Sequence, residues 1–344
     1  MFIKKHWWEF LYTAALTAFT IYIALDTFVI SHVYSVVSED EIASEAEGAE
    51  TVQAESSSSE QPQTDTGSHR SGRGKHSRTR SDNSSQNETA DNDTSESTEE
   101  NSSSLSSYSD ENIQITITEY RENGTTIYAA DIVLSSPEYL KTALAQSSYG
   151  KNITEKTSEI SEEAKAILAI NGDYYGAREK GHVIRNGVLY RDTPASGQED
   201  LVIYNDGSFE IISEDEITAE ELISAGAEQV LSFGPALVTD GETAVTEDEE
   251  VGKAKVSNPR TAVGIIDDLH YVFVVSDGRT EESAGLSLSQ LAEFMKSLGV
   301  KTAYNLDGGG SSTMYFNGSV INNPTTNGKT IKERSVSDIV YIGY

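Results

Sequence analysis

From Ser38 to Asp110 the chain is written in Ser, Glu, Asp, Asn, Thr and Gln, with almost no large apolar residue. Such a stretch cannot bury enough surface to offset its ordering entropy, so residues 31–110 read as a disordered acidic stalk. Any core must be drawn from the remaining residues. As a flexible coil the stalk reaches on the order of 50 Å. A basic island, Arg70-Ser-Gly-Arg-Gly-Lys-His-Ser-Arg-Thr-Arg80, interrupts it. It reads as a solvated piece of spacer, with binding to an anionic polymer as the alternative.

Before the stalk the chain runs apolar from Phe10 to Ile30. At about 1.5 Å per residue this matches the roughly 30 Å hydrocarbon thickness of a bilayer. Lys4 and Lys5 precede the run, and Glu39, Asp40 and Glu41 follow it. The charge asymmetry predicts a cytoplasmic tail over 1–9, a signal-anchor helix over 10–30 and an extracellular remainder. Trp7 and Trp8 suit a membrane interface, and Asp26 lies near the far end of the run. A cleavable signal peptide is the competing reading, but it calls for a shorter apolar region and a small-x-small site. The expected location is therefore the cell membrane, with a single pass.

Charge and composition narrow the partners. A formal net charge of −31 argues against nucleic acid and makes any anionic substrate depend on a local basic clamp. With no cysteine there is neither a disulfide framework nor a thiolate nucleophile.

Over 111–344 the patterning becomes that of a folded domain. Ile113-Gln-Ile-Thr-Ile alternates with period two, Arg121-Glu-Asn-Gly124 is a hairpin-type turn, and Thr126 to Leu134 resumes as a strand. Pro137 opens a predicted short helix, and Ser158 to Lys165 and Ile217 to Ala225 read as two more. Asn186-Gly187 and Asp206-Gly207 are strong hairpin signals. Glu247 to Glu250 marks a surface loop. Ser287 to Leu298 is the clearest helix, with Ser287 and Gln290 at capping-box spacing and Gly299 behind it. The predicted class is α+β, a mixed, mostly antiparallel β-sheet with packed helices.

Four apolar runs border polar loops, three of them glycine-containing: Asn171-Gly-Asp-Tyr-Tyr-Gly176, Asn258-Pro-Arg-Thr261, Asp277-Gly-Arg279 and Asp307-Gly-Gly-Gly-Ser-Ser312. Each taken singly can be a turn whose Asn or Asp bonds its own backbone. Gathered at one sheet edge, they supply Asp173, Asp277 and Asp307, the guanidiniums of Arg260 and Arg279, and the hydroxyls of Ser311 and Ser312. Binding residues favour loops held on rigid strands.

Seven motifs then occur in order: Asn171-Gly-Asp-Tyr-Tyr-Gly, Phe233-Gly-Pro, Asn258-Pro-Arg-Thr-Ala-Val-Gly, Ser276-Asp-Gly-Arg, Gly285-Leu-Ser-Leu-Ser-Gln-Leu-Ala, Asn305-Leu-Asp-Gly-Gly-Gly-Ser-Ser and Glu333-Arg-Ser-Val. In these the stretch from Ile113 to Tyr344 resembles the phosphodiester glycosidase family. The resemblance implies hydrolysis of a sugar-1-phosphate diester at the anomeric C–O bond. The phosphate is already a good leaving group, so the need shifts from a strong general acid toward holding phosphate and stabilising a cationic ring. Arg260 and Arg279 are then candidate phosphate clamps. The Gly308, Gly309 and Gly310 amides with Ser311 and Ser312 are further donors, and Asn171 and Gly172 line the substrate. Asp173, Asp277 and Asp307 share the roles of base, nucleophile and sugar-hydroxyl acceptor. No resident cofactor is implied.

Two other classes stay open. One is a phosphodiesterase that cuts the P–O bond with Ca²⁺, Mg²⁺ or Mn²⁺ on the three aspartates. The other is a non-catalytic glycan-binding module using Tyr174 and Tyr175 as stacking faces. A P-loop is excluded, since Gly308-Gly-Gly-Ser-Ser-Thr lacks the Gly-Lys-Ser/Thr ending. Surface glycopolymers with sugar-1-phosphate links are the expected substrates.

Overall fold

The structure, a computed structural model, describes residues 7–33, 102–245 and 256–344. Most of the expected stalk, its basic island and the acidic loop at 247–250 lie outside the described residues.

The alternation at Ile113 sets the large sheet. Ile113, Ile115 and Ile117 are buried while Gln114 and Thr116 face out, as the pleat demands. A one-residue slip would turn all three isoleucines to solvent, at about 1.5–3 kcal/mol each, so the register is held by burial. Asn123 and Gly124, both at positive φ, turn this strand into Thr125–Leu134. Eight strands follow in the spatial order Glu242–Thr243, Ala236–Thr239, Thr302–Leu306, Arg260–Asp267, His270–Ser276, Thr125–Leu134, Ile113–Glu122 and Ser102–Ser109. Every adjacent pair is antiparallel.

A smaller antiparallel sheet packs on its inner face: Ser319–Val320, Met314–Phe316, Leu168–Asn171, Asp338–Ile342 and Leu140–Leu144. The run Ala166 to Ile170 is apolar throughout because its strand is covered on both sides. Leu168 and Ile170 meet the large sheet, whereas Ala169 faces Ile160 of the helix Thr157–Glu163. On the far face of the large sheet, the helix Leu288–Ser297 lays Leu288, Leu291, Ala292 and Met295 against Ala262, Val272, Val274 and Ala303. Ser287 caps it by accepting from the Gln290 N–H, and the Gln290 side chain accepts from the Ser287 N–H in return. The architecture is thus helix, sheet, sheet, helix. A third antiparallel sheet is formed by Val183–Arg185, Val188–Arg191, Glu199–Tyr204, Phe209–Ser213 and Ala227–Leu231, with the helix Ala219–Ser224 on one face. Leu201, Ile203 and Leu231 tie it to the main core.

Two expectations need correction. Ser102–Ser109 falls in the expected stalk but pairs along Ile113–Glu122 as an edge strand. An edge strand gains backbone hydrogen bonds without needing apolar side chains, which is why composition hid it. The helix expected at Pro137 is only a 3₁₀ turn, Pro137–Tyr139, before Leu140–Leu144 joins the small sheet. At the N-terminus Trp7–Phe28 is helical. However, no helix among the described residues is long and apolar enough to cross a membrane. Within Trp7–Phe28 the Thr17 and Thr20 hydroxyls donate to carbonyls four residues back. The chain after it pairs His32–Val33 with Gly150–Lys151.

Candidate active site

Strand register brings the polar loops to one edge. Arg260 lies opposite Ser276, Thr261 opposite Leu306, and Asn171 opposite Ile339. The Asn171 side chain then joins the two sheets. Its amide donates to the Asp307 carbonyl at 2.7 Å and to the Gly172 carbonyl at 3.2 Å. Its oxygen accepts from the Thr261 hydroxyl at 2.9 Å and the Thr313 N–H at 3.2 Å. The Asp307 N–H donates to the Gly172 carbonyl at 3.3 Å.

Asp173 is buried behind this junction. One carboxylate oxygen accepts from the Tyr175 N–H; the other accepts from Arg185 Nη2 at 2.8 Å and the Ser232 N–H at 2.9 Å. Arg185 also donates through Nε to Asp338 at 2.9 Å, and through Nη1 to the Ile184 and Val230 carbonyls. The guanidinium therefore sits between two buried carboxylates. Burial pushes the Asp338 carboxyl up to about 7, with Arg185 opposing the shift and Asp173 adding to it. Gly172 is a glycine for a steric reason: a Cβ there would overlap Asp338 Oδ1. Deeper still, the Ser232 hydroxyl donates to Glu214 at 3.0 Å. Beside Glu214 the fully buried Asp200 is pushed up to about 9, first by burial and then by that neighbour.

Asp307 lies beneath the glycine loop, its side chain 12% exposed. Its Oδ2 accepts from the Ser311 hydroxyl at 2.6 Å and from Arg334 Nη2 at 2.7 Å. Arg334 Nε donates to the same Ser311 hydroxyl at 2.9 Å. Burial raises the Asp307 carboxyl above the usual carboxylate range, and Ser311 and Arg334 pull against it. The Arg334 side chain is 41% exposed, so the pair is presented rather than enclosed. Arg334 lines a cavity of about 170 Å³ with Asn152, Thr154, Tyr174, Ser335 and Ser337.

The other expected residues are close by but engaged with protein. Arg260 donates through Nε to the Leu286 carbonyl and through Nη2 to the Val256 carbonyl. Arg279 donates to Asn258 Oδ1 and, at 2.7 Å, to the Thr326 carbonyl. Asp277 is buried against Asn322 and Asn323, and burial raises its carboxyl. Asn322 in turn donates to the Ser312 carbonyl, which fastens the Asp277 loop to the glycine loop. The Gly309 N–H donates to the Pro259 carbonyl at 2.8 Å, and those of Ser311 and Ser312 donate to the carbonyls of Gly308 and Gly309. Gly309 has φ +64°, and a Cβ there would lie 2.9 Å from Arg279 Nη2. Among the described residues no three His, Asp or Glu side chains converge as a metal site.

Arg185, Arg334 and Asp338 carry the site's charge pairing, and inspection of the sequence did not single them out as functional. Arg334 had a signal, the Glu333-Arg-Ser-Val motif. Arg185 had none, since it follows two apolar strand residues and precedes a hairpin turn. Asp338 reads as a polar residue before a terminal strand.

The two-sheet sandwich thus presents an aspartate, a serine and an arginine together at one polar edge. The family model described as phosphodiester glycosidase matches residues 164–343, more than half of the chain. The chain belongs to the phosphodiester glycosidase family. It is 32% identical over 203 residues, 57% of the chain, to an uncharacterized SPbeta prophage-derived protein of Bacillus subtilis, YomE. It is 29% identical over 210 residues, 55% of the chain, to N-acetylglucosamine-1-phosphodiester alpha-N-acetylglucosaminidase of Bos taurus. The matches span 31% and 40% of those relatives' own lengths. Among solved structures it resembles the zebrafish N-acetylglucosamine-1-phosphodiester alpha-N-acetylglucosaminidase catalytic domain, auto-inhibited by its pro-peptide. There the TM-score is 0.55 at 24% identity, covering 71% of this chain and 87% of that one.

Proposed function

We propose that the chain is a hydrolase that cleaves the glycosidic C–O bond of a sugar-1-phosphate diester. The observation that carries this reading is the half-exposed Arg334 guanidinium held against Asp307 and Ser311 at the mouth of a polar cavity. Arg334 holds the bridging phosphate, since its planar fork matches two phosphate oxygens. Asp307 stands beside the anomeric carbon, where a carboxylate stabilises the cationic ring and takes a proton from the attacking water. Ser311 fixes the carboxylate's orientation. The C1–O bond to phosphorus breaks, water oxygen bonds to C1, and the phosphate leaves as a monoester with its electron pair. A leaving group this good asks for no strong acid. Asp173, anchored by Arg185, stabilises the loop and the field behind it.

The relatives' name makes N-acetylglucosamine 1-phosphate the first sugar to try. The test incubates the full chain with its methyl diester and identifies products. N-acetylglucosamine and methyl phosphate support the reading; N-acetylglucosamine 1-phosphate and methanol, or no turnover, refute it.

The finer reading places the domain outside a cell, tethered near surface glycopolymers. Its support is the set of apolar side chains that the N-terminal helix leaves exposed, Leu16, Phe19, Ile21 and Leu25, and the lysines before it. Flotation of the full chain with membranes, and its loss on deleting 1–30, tests the tether. Protease shaving of intact cells tests the side.

A further inference from the structure

The N-terminal helix is bonded to the rim of the site. The Val29 and Ile30 N–H groups both donate to the Leu25 carbonyl at 2.8 Å, closing the helix Trp7–Phe28. Asn152 takes up the residues that follow. Its side-chain amide donates to the Ile30 carbonyl at 3.0 Å, and its own carbonyl accepts from the Ser31 hydroxyl at 3.0 Å. His32 and Val33 then pair antiparallel with Lys151 and Gly150. Every residue from Val29 to Val33 thus has a bonded partner, and no free linker separates the helix from the domain.

Asn152 is also a wall of the site cavity, with Arg334 and Tyr174. It sits at φ +59°, a turn conformation that asparagine tolerates, and its N–H donates to the Gly176 carbonyl at 3.2 Å. One residue therefore touches both the cavity and the chain that leaves the helix. A flexible stalk beginning at residue 31 would let the domain drift on the order of 50 Å from the helix. The contact at Asn152 removes that freedom.

The helix is apolar on every side. Leu16, Phe19 and Ile23 lie on one face, Ile21 and Leu25 lie on the opposite one, and each is at least 44% exposed. Such a helix offers a protein partner no single face, whereas lipid surrounds it equally well. Lys4 and Lys5 before it suit anionic headgroups.

We propose that the docked segment Ile30–Val33 holds the site at the bilayer surface the helix enters, and that the substrates are glycosyl phosphate diesters whose leaving group carries a lipid chain set in that bilayer. This rests on the hydrolytic reading and the tether above. The C1–O bond breaks, water oxygen bonds to C1, and the lipid phosphate monoester leaves with the electron pair and stays in the membrane.

The dock is tested by cross-linking, which a cysteine-free chain allows without background. His32→Cys with Lys151→Cys should form a disulfide, because paired strands bring Cα atoms within disulfide range. After cleavage at a protease site inserted between residues 60 and 61, the two fragments should stay joined until reduced. Fragments that separate without reductant overturn the dock.

The substrate is tested with the full chain in vesicles of phosphatidylcholine and phosphatidylglycerol. The hexadecyl diester of N-acetylglucosamine 1-phosphate should show a kcat/KM at least tenfold above that of the methyl diester. A flexible Gly/Ser insertion between Phe28 and Val29, long enough to free the domain, should abolish that preference and leave turnover of the methyl diester unchanged. Equal values, or a preference the insertion does not touch, overturn the proposal. A second readout needs no turnover. A fluorophore on Ser335→Cys, at the cavity wall, should be quenched by headgroup-labelled lipid in the full chain and at least threefold less in the insertion variant. Quenching without hydrolysis of either diester means that the hydrolytic reading fails while the membrane-held site stands; no quenching overturns that site.

Discussion

The Asn171 side-chain amide donates to the Asp307 backbone carbonyl at 2.7 Å, across 136 residues of chain. That bond joins the strand end of the small sheet to the glycine loop of the large one. The same side chain also accepts from Thr261 and Thr313. It is fully buried, so each group it satisfies loses water as an alternative partner. Asn171→Ala should lower the unfolding free energy by about 2–4 kcal/mol, the cost of stranding several buried groups. Urea denaturation reads this directly, and an unchanged midpoint would remove Asn171 from its place as the latch.

Arg334 and Asp307 should behave as one unit. Asp307→Asn and Arg334→Lys are each expected to lower kcat/KM by at least about 100-fold, because lysine lacks the planar fork and asparagine the charge. The double variant should be little worse than either single one. Arg334 is partly exposed, so its substitution should leave thermal stability nearly unchanged. Independent, multiplying losses would mean the two residues do not share a task.

Gly172 is constrained by a neighbour rather than by its own backbone. A methyl group there meets Asp338 Oδ1, on the carboxylate whose other oxygen, Oδ2, is held by Arg185. Gly172→Ala should cost about 1–3 kcal/mol by overpacking and should displace Asp338. Calorimetry within a few tenths of wild type would show that the carboxylate can move aside freely.

The buried carboxyl of Asp200 predicts a pH slope. Folded, it keeps its proton to about pH 9; unfolded, it releases it near pH 3.9. Between those values the unfolded chain binds fewer protons. Stability fully present below about pH 4 is therefore lost progressively as pH rises toward 9, at up to about 1.4 kcal/mol per pH unit. Asp338, at about 7, adds a slope of the same sign over the lower part of the window. Melting temperatures from pH 5 to 9 should fall less steeply in Asp200→Asn than in wild type. Parallel slopes would mean that Asp200 ionises normally in the fold.

What was legible in the sequence was local. Period-two burial at Ile113 to Ile117, the Asn186-Gly187 turn and the capped helix from Ser287 each depend on neighbours within a few residues. The glycine loop was legible too, because Asp307 and Ser311 meet within one turn of chain. Pairing across the fold was not legible. Arg185 meets Asp338 at a separation of 153 residues, and nothing near either residue names the other. Leu140–Leu144 shows tertiary override: good helix formers become a strand because Asp338–Ile342 offers them a sheet edge.

The most direct test follows oxygen. The full chain hydrolyses the methyl diester of N-acetylglucosamine 1-phosphate in ¹⁸O-water, and both products are weighed by mass spectrometry. Attack at the anomeric carbon places the label on the sugar and leaves the methyl phosphate unlabelled, which is the result this account requires. Label in the phosphate would mean attack at phosphorus, and the roles given to Asp307 and Arg334 would be wrong.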